Sequence, residues 1–409
     1  MMQDKVAVAR PLVRSIPVLI IVGCAISALN GGPRSTMGFF LTPMTTENGW
    51  GREVFALAIA IQNLAWGAAQ PFVGMIADKF GPARVLTFGT FLYALGLVLM
   101  ANTSSPIALQ FTAGVLIGVG IAGSALFLVM AALARMLPEH LRTTAYGLVT
   151  AAASAGQLIF APLGQALILS VGWHTTLLVM AALVLIAPLL AFVLRGTPAP
   201  HATAAGHRDQ SIMQALREAF THPSYRLLVA GFFVCGFQIS FIIVHLPAYL
   251  NDIGLAAYGG LALALIGLCN IAGSIATGVL SGKMPRRWIL SAIYLGRAFF
   301  TAAFGLLPPS PVTVIGFSIL MGFLWLSTVP PTQQLVAIMF GTRYMATLFG
   351  FVFFSHQVGS FLGVWLGGVL YDRTGSYDVL WWISVALGVF AAIVHMPIRE
   401  VGVARPAVA

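Results

Sequence analysis

The chain is short of charge, and of acid above all. Only 8% of its 409 residues are charged, and Asp plus Glu number 11. A soluble domain carries about 25% charged residues, so water cannot be the solvent for most of this surface. Cysteine is scarcer still: Cys24, Cys235 and Cys269 lie in apolar stretches without CxxC spacing, which leaves them as small core residues rather than a disulfide or thiolate–metal framework. GxSxG, HExxH and P-loop patterns are missing too, so nothing marks an enzyme, and no cofactor or metal is implied. What is there is 59% hydrophobic with a mean hydropathy of +0.94, the composition of an all-α integral membrane protein. The 43 glycines and 22 prolines fall inside apolar runs, where neighbouring helices satisfy the backbone they free. The net charge of +10 does not signal a nucleic-acid partner, because the basic residues alternate with apolar spans instead of forming a patch.

A membrane helix needs about 20 apolar residues. Twelve spans are predicted, at 15–44, 54–77, 85–102, 107–132, 143–171, 174–194, 226–250, 257–282, 288–307, 311–338, 344–371 and 376–397. The first follows Lys5, Arg10 and Arg14, has no small-residue cleavage site after it and continues past Arg34, so it reads as a retained helix rather than a signal peptide. Positive charge concentrates in cytoplasmic loops. With both termini inside, 17 of the 21 basic residues fall on the cytoplasmic side, Arg52 and Arg373 on the other, and Arg34 and Arg297 within spans. A cell inner membrane with cytoplasmic termini is the matching location.

The longest polar stretch, 195–225, contains Pro198, Pro200, His201 and His207 and a short amphipathic piece around Ser211 to Phe220. It reads as a cytoplasmic linker between six-helix bundles at 1–194 and 226–409. The halves echo each other: Gly74 to Arg84, after span two, is matched by Gly278 to Arg287, after span eight, 204 residues on. Leu163-Gly164 with Gly172 is matched by Leu366-Gly367 with Gly375 at nearly the same offset. A duplicated six-helix unit of this kind is found in secondary transporters.

Gly74 to Arg84 resembles the loop signature of the major facilitator superfamily, G-x-x-x-D-[RK]-x-G-x-x-[RK]. The resemblance covers the whole chain and implies twelve helices in two pseudo-symmetric bundles, with Asp78, Lys79 and Arg84 forming a cytoplasmic gate; topology charge plus a helix cap is the plainer reading. Within the superfamily, Pro33-Arg34-Ser35-Thr36-Met37-Gly38-Phe39-Phe40 and Gly49-Trp50-Gly51-Arg52 are similar to the first helix of the monocarboxylate porters and their bacterial relatives, the oxalate–formate exchanger-like branch. Arg34 then takes the place of the porters' first-helix lysine. Span eight departs from that pattern, with Asn270 and Ser274 where the porters carry an aspartate and a carboxylate-holding arginine.

Each charge within a span costs about 2.5–3.5 kcal/mol on insertion scales and is a functional hypothesis by default. No acid lies deep in any predicted span, so a buried cation has an incoming anion as its simplest counter-ion. Arg34 follows the helix-breaking run Asn30-Gly31-Gly32-Pro33, and its guanidinium is a planar fork suited to a carboxylate. Snorkelling to the outer interface is its bland alternative. Arg297 sits about 16 Å into span nine, near the midplane, where capping carbonyls of a neighbouring helix competes with ligand contact. His356 is the candidate for proton coupling, against a neutral histidine bonded to a neighbour. The superfamily lines its cavity with spans one, four, seven and ten, flanked by two, five, eight and eleven. Carried over, this names Asn30, Arg34, Gln238, Asn270, Ser274, Trp325, His356 and Gln357 as substrate-binding candidates, with Gln62, Asn63, Ser124, Gln157, Ser327, Thr328 and Ser360 behind them.

The expected function is a monomeric secondary transporter, symporter or antiporter, of a small organic anion such as a monocarboxylate, with protons as a possible partner and the bilayer as solvent. The alternatives are a proton-coupled exporter or importer of an amphiphilic drug or siderophore and, from another class, a transporter-like membrane sensor.

Overall fold

The computed structural model describes residues 15–194, 211–341 and 344–403, without the side chains of Asp78, Glu139 and Thr143. Every regular element among them is helical. In hydrocarbon that is the expected outcome, since a helix satisfies its own N–H and C=O groups where no water can.

Span one is the helix pair Ile16–Ser35 and Met37–Asn48. It runs four residues past its predicted end, which moves Arg34 from the outer half to near the middle. Asn30 to Pro33 does not unwind, contrary to expectation. The helix runs through Pro33, and the hydroxyls of Ser35 and Thr36 donate to the carbonyls of Gly32 (2.6 Å) and Pro33 (2.7 Å) just where the helix steps at Thr36. Span two is Arg52–Phe80 and span three Pro82–Ala101. Span four begins at Pro106, passes a π-helical turn at Gln110–Leu116, continues as Ile117–Ser124, breaks at Ala125 and resumes as Leu126–Met136. Spans five and six appear as Glu139–Val184, separated only where Gly172 turns to φ 78°, followed by Ile186–Ala191. The amphipathic piece is the helix Ile212–Thr221, closed by a capping box between Ser211 and Gln214. Residues 195–210 of the expected linker lie outside the described residues.

The second half repeats the plan. Span seven is Pro223–Asp252, eight Gly259–Leu280, nine Arg286–Leu306, ten Pro311–Leu324 and Val329–Phe340, eleven Met345–Thr374 and twelve Asp378–His395. Spans four and ten are thus both interrupted, within a few residues of the positions that the offset of the loop signature relates.

Packing within each half joins one with five, three with four, seven with eleven and nine with twelve. Two with eleven, five with eight and one with seven meet across the halves. Small residues set the closest approaches at those crossings, as is usual where lipid gives no hydrophobic drive to association. A Cβ on Gly67 would sit 2.7 Å from Cβ of Gln357, so only glycine lets spans two and eleven touch at mid-height.

Candidate functional site

Arg34 stands at the seam of the two halves. Its Nη2 donates to Oδ1 of Asn63 at 3.0 Å, and its guanidinium carbon lies 4.6 Å from the Trp66 ring centroid. Asn63 is held in turn by its own amide, which donates to the Ile59 carbonyl at 3.0 Å. Beside the guanidinium is a gap of about 10 Å3, the scale of one water molecule, lined by Met37, Ile59, Gln62 and Asn63 from the first half and Ser240, Ile243 and Val244 from span seven. The Ser240 hydroxyl is buried and has no partner. Nor has the hydroxyl of Tyr93 on span three, which lies within electrostatic reach of Arg34. Among the described residues no carboxylate pairs with Arg34.

A chain of rings leads from Arg34 to His356. Phe353 lies 5.2 Å from Trp66 and 5.9 Å from Phe127, both in the first half, and stacks on His356 at 5.7 Å. His356 Nδ1 is 3.2 Å from Gln357 Oε1, while Gln357 Nε2 is buried without a partner beside Gly67. Arg34, His356 and Gln357 therefore flank one stretch of span two.

Other candidates are committed elsewhere. Gln238 donates to the Ser384 carbonyl at 3.0 Å and faces span twelve, away from Arg34; two residues on, Ser240 faces the gap. Trp325 marks the break of span ten, where Arg297 donates to its carbonyl and, at 2.7 Å, to that of Leu324. Arg297 also reaches Cys235 Sγ at 3.6 Å and Gln238 Oε1 at 3.5 Å, so it holds the broken helix. Asn270 donates to Ser154 of span five at 2.8 Å and accepts from the Leu326 N–H at 2.9 Å and from Ser274 at 3.2 Å, a tie across the halves. Asn30 donates to the Ser124 carbonyl at the break of span four. The offset of 204 carries Arg34 onto Gln238 and Tyr93 onto Arg297, so the two halves keep their cation on different helices.

The two ends of the bundle differ. At one end, Arg52 forms a bidentate pair with Asp252 at 2.6 and 2.7 Å and donates to the Tyr377 hydroxyl at 2.8 Å. Asp372 of span eleven accepts the backbone N–H groups of Arg52 (2.9 Å) and Glu53 (2.8 Å), capping span two from the other half. A Cβ on Gly51 would collide with that carboxylate. At the other end, Lys79 and Arg84 are exposed; Arg84 donates to the Phe80 carbonyl at the end of span two, and among the described residues neither meets a partner in the second half. The Asp78 side chain lies outside the described residues.

The sequence profile of the Major Facilitator Superfamily matches residues 23–364. The chain belongs to that superfamily. It is accordingly a multi-pass membrane transporter and not an enzyme. The chain is 25% identical over 373 residues to the uncharacterized MFS-type transporter YcxA of Bacillus subtilis, covering 89% of this chain and 90% of that one. It is 27% identical to monocarboxylate transporter 13 of Rattus norvegicus (79% and 74% covered) and 26% identical to the probable sulfoacetate transporter SauU of Cupriavidus necator (82% and 83%). Two solved superfamily structures share the fold: a bacterial homolog of the lysosomal transporter Spinster, with TM-score 0.75 at 14% identity (93% and 97% covered), and the xylose transporter XylE from E. coli, with TM-score 0.72 at 16% identity (94% and 96%). Reading the sequence missed Tyr93, Trp66, Ser240 and Phe353 around Arg34, and gave Arg52 a place in the topology and in the GWGR turn but no partner. The period of span seven could not separate Ser240 from Gln238, but the GWGR turn did flag Arg52.

Proposed function

We propose that this superfamily member carries a small organic anion, a carboxylate, which binds Arg34 at mid-membrane and crosses by alternating access. The observation that carries this reading is a guanidinium at the seam of the halves with, among the described residues, one of its five donors used by a protein group and no acid paired with it. A carboxylate entering there accepts from the free fork of Arg34 and meets the unpartnered Ser240 hydroxyl on the wall of the gap, with the unpartnered Tyr93 hydroxyl within electrostatic reach of the same guanidinium. The names of its relatives, monocarboxylate and sulfoacetate transporters, describe anions of this kind. The gap beside Arg34 admits about one water, so the substrate enters after spans one and seven part on that side.

With the termini in the cytoplasm of a cell inner membrane, the end tied by Arg52 is the outer one and the conformation is inward-facing. The halves, 1–194 and 226–409, rock about the seam with 195–225 as linker. When the outer ties open, Asp78, Lys79 and Arg84 latch the inner end. His356, joined to the Arg34 site through Phe353 and Trp66, is the proton-coupling group. Asn270 and Ser274 act as the tie between spans five, eight and ten rather than as the substrate clamp.

The test is a thermal-shift screen of purified protein against mono- and dicarboxylates, aromatic acids and uncharged analogues, since a ligand stabilises the state that binds it. Acids raise the unfolding temperature of the wild type and not of Arg34→Gln. Equal shifts for both proteins, or shifts from the uncharged analogues only, defeat the assignment.

A further inference from the structure

The end that carries Lys79 and Arg84 also holds a cationic cavity in the second half. It measures about 570 Å3 and is lined by Lys283, Arg286, Arg287, Arg399 and Glu400, among others. The lone acid is occupied: Glu400 accepts the backbone N–H of Arg287 at 2.8 Å and lies 3.5 Å from the Arg286 guanidinium. Arg286 also donates to Gln334, and Arg287 to the Ile398 carbonyl, while Nε of Arg287 is buried with no partner. The side chains of Lys283 and Arg399 are exposed and meet no protein acceptor among the described residues, although the backbone of Arg399 is pinned by its N–H to Ser224 at 3.0 Å.

This cavity is the degenerate second copy of the loop signature. The offset that carries Lys79 onto Lys283 carries Asp78 onto Gly282, so the repeat kept its cation and lost its acid. Topology requires cations somewhere in these loops. It does not require two distant segments, 282–287 and 399–401, to converge on one cavity with formal charge to spare. The apolar flank gives the ligand its second half: Val279, Met284 and Trp288 are exposed beside the cations, and tryptophan is an interfacial residue.

We propose that this cavity binds the phosphate headgroup of an anionic phospholipid, whose acyl chains lie along Val279, Met284 and Trp288. Guanidinium groups suit phosphate oxygens geometrically, and Lys283 and Arg399 supply charges that no group among the described residues neutralises. A soluble phosphate would use the same cations without the apolar flank, and the test separates the two.

Native mass spectrometry of the purified full chain, titrated with phosphatidylglycerol or phosphatidylcholine, reads the site directly. The wild type retains one phosphatidylglycerol more tightly than phosphatidylcholine. Each charge removed, in Arg399→Gln and then Lys283→Gln/Arg399→Gln, weakens retention roughly fivefold, from the energy of one basic residue near an anionic surface. Lys283→Arg restores it, and inorganic phosphate does not compete. The surface variant Arg399→Gln, checked by its unfolding temperature, keeps the test informative if the double variant folds poorly. Unchanged phosphatidylglycerol retention in a folded variant, equal retention of phosphatidylcholine, or displacement by inorganic phosphate overturns the proposal.

Discussion

Arg34 and Arg297 both lie deep in the bundle, yet one has hydrogen-bond capacity to give and the other has spent it. Arg297 is fully buried and donates to the carbonyls of Leu324 and Trp325, which the break of span ten leaves without helix partners. Arg34 is half-buried at the seam and makes one bond, to Asn63. The offset of 204 makes the contrast sharper, because it pairs Arg34 with Gln238 and Arg297 with Tyr93. Where the first half has a cation on span one and a lone hydroxyl on span three, the second has an amide on span seven and a cation on span nine, and there the two are in contact. A buried charge becomes a scaffold when carbonyls surround it and a site when they do not.

The comparison breaks first at Arg297. Arg297→Gln strands two buried carbonyls, at about 1–3 kcal/mol each, so the unfolding temperature in detergent falls steeply and transport is lost with the fold. Arg34→Gln leaves the unfolding temperature nearly unchanged while uptake of the identified acid drops about tenfold or more, and Arg34→Lys falls between, keeping charge but losing the fork. Were the two variants equally unstable, the distinction between scaffold and site would be wrong.

A smaller effect belongs to the Arg52 end. Arg52→Gln removes the bidentate pair with Asp252 and shifts the conformational balance by about 1–2 kcal/mol. Spin labels at Thr46 and Asn251, both exposed on that end, then show a longer distance population; an unchanged distribution would mean that apolar packing alone holds the end shut. The smallest belongs to Tyr93. Tyr93→Phe deletes a buried hydroxyl that has no protein partner, so stability holds or rises slightly while acid binding weakens by about 0.5–1.5 kcal/mol, read as a raised Kd. Unaltered binding would place the hydroxyl outside the site.

The spans were legible because each needs its own run of about 20 apolar residues, and the charge asymmetry fixes how many there are. Their rotation was not. Span seven is buried on nearly every side, so nothing in its pattern tells that Gln238 turns to span twelve and Ser240 to Arg34. Tyr93 was invisible for a related reason, since a tyrosine among apolar residues reads as packing until its hydroxyl is seen to lack a partner. The weight of Arg52 was hidden by distance: its partners lie 200 and about 320 residues away, and no local window holds both. Arg297 was open between ligand and carbonyls because its acceptors come from a break in span ten that only the folded chain reveals.

The cap that Asp372 places on span two from the other half gives the protein a lock of unusual chemistry. It is made of a helix-end dipole and a partly buried ion pair, and the part of such forces that passes through water is screened by mobile ions over about 8 Å at physiological ionic strength. Salt on that face of the membrane therefore acts as a dial. On the proposed alternating access, raising it loosens the Arg52 end, so the partition between the two conformations becomes a property of the surrounding electrolyte as well as of the sequence.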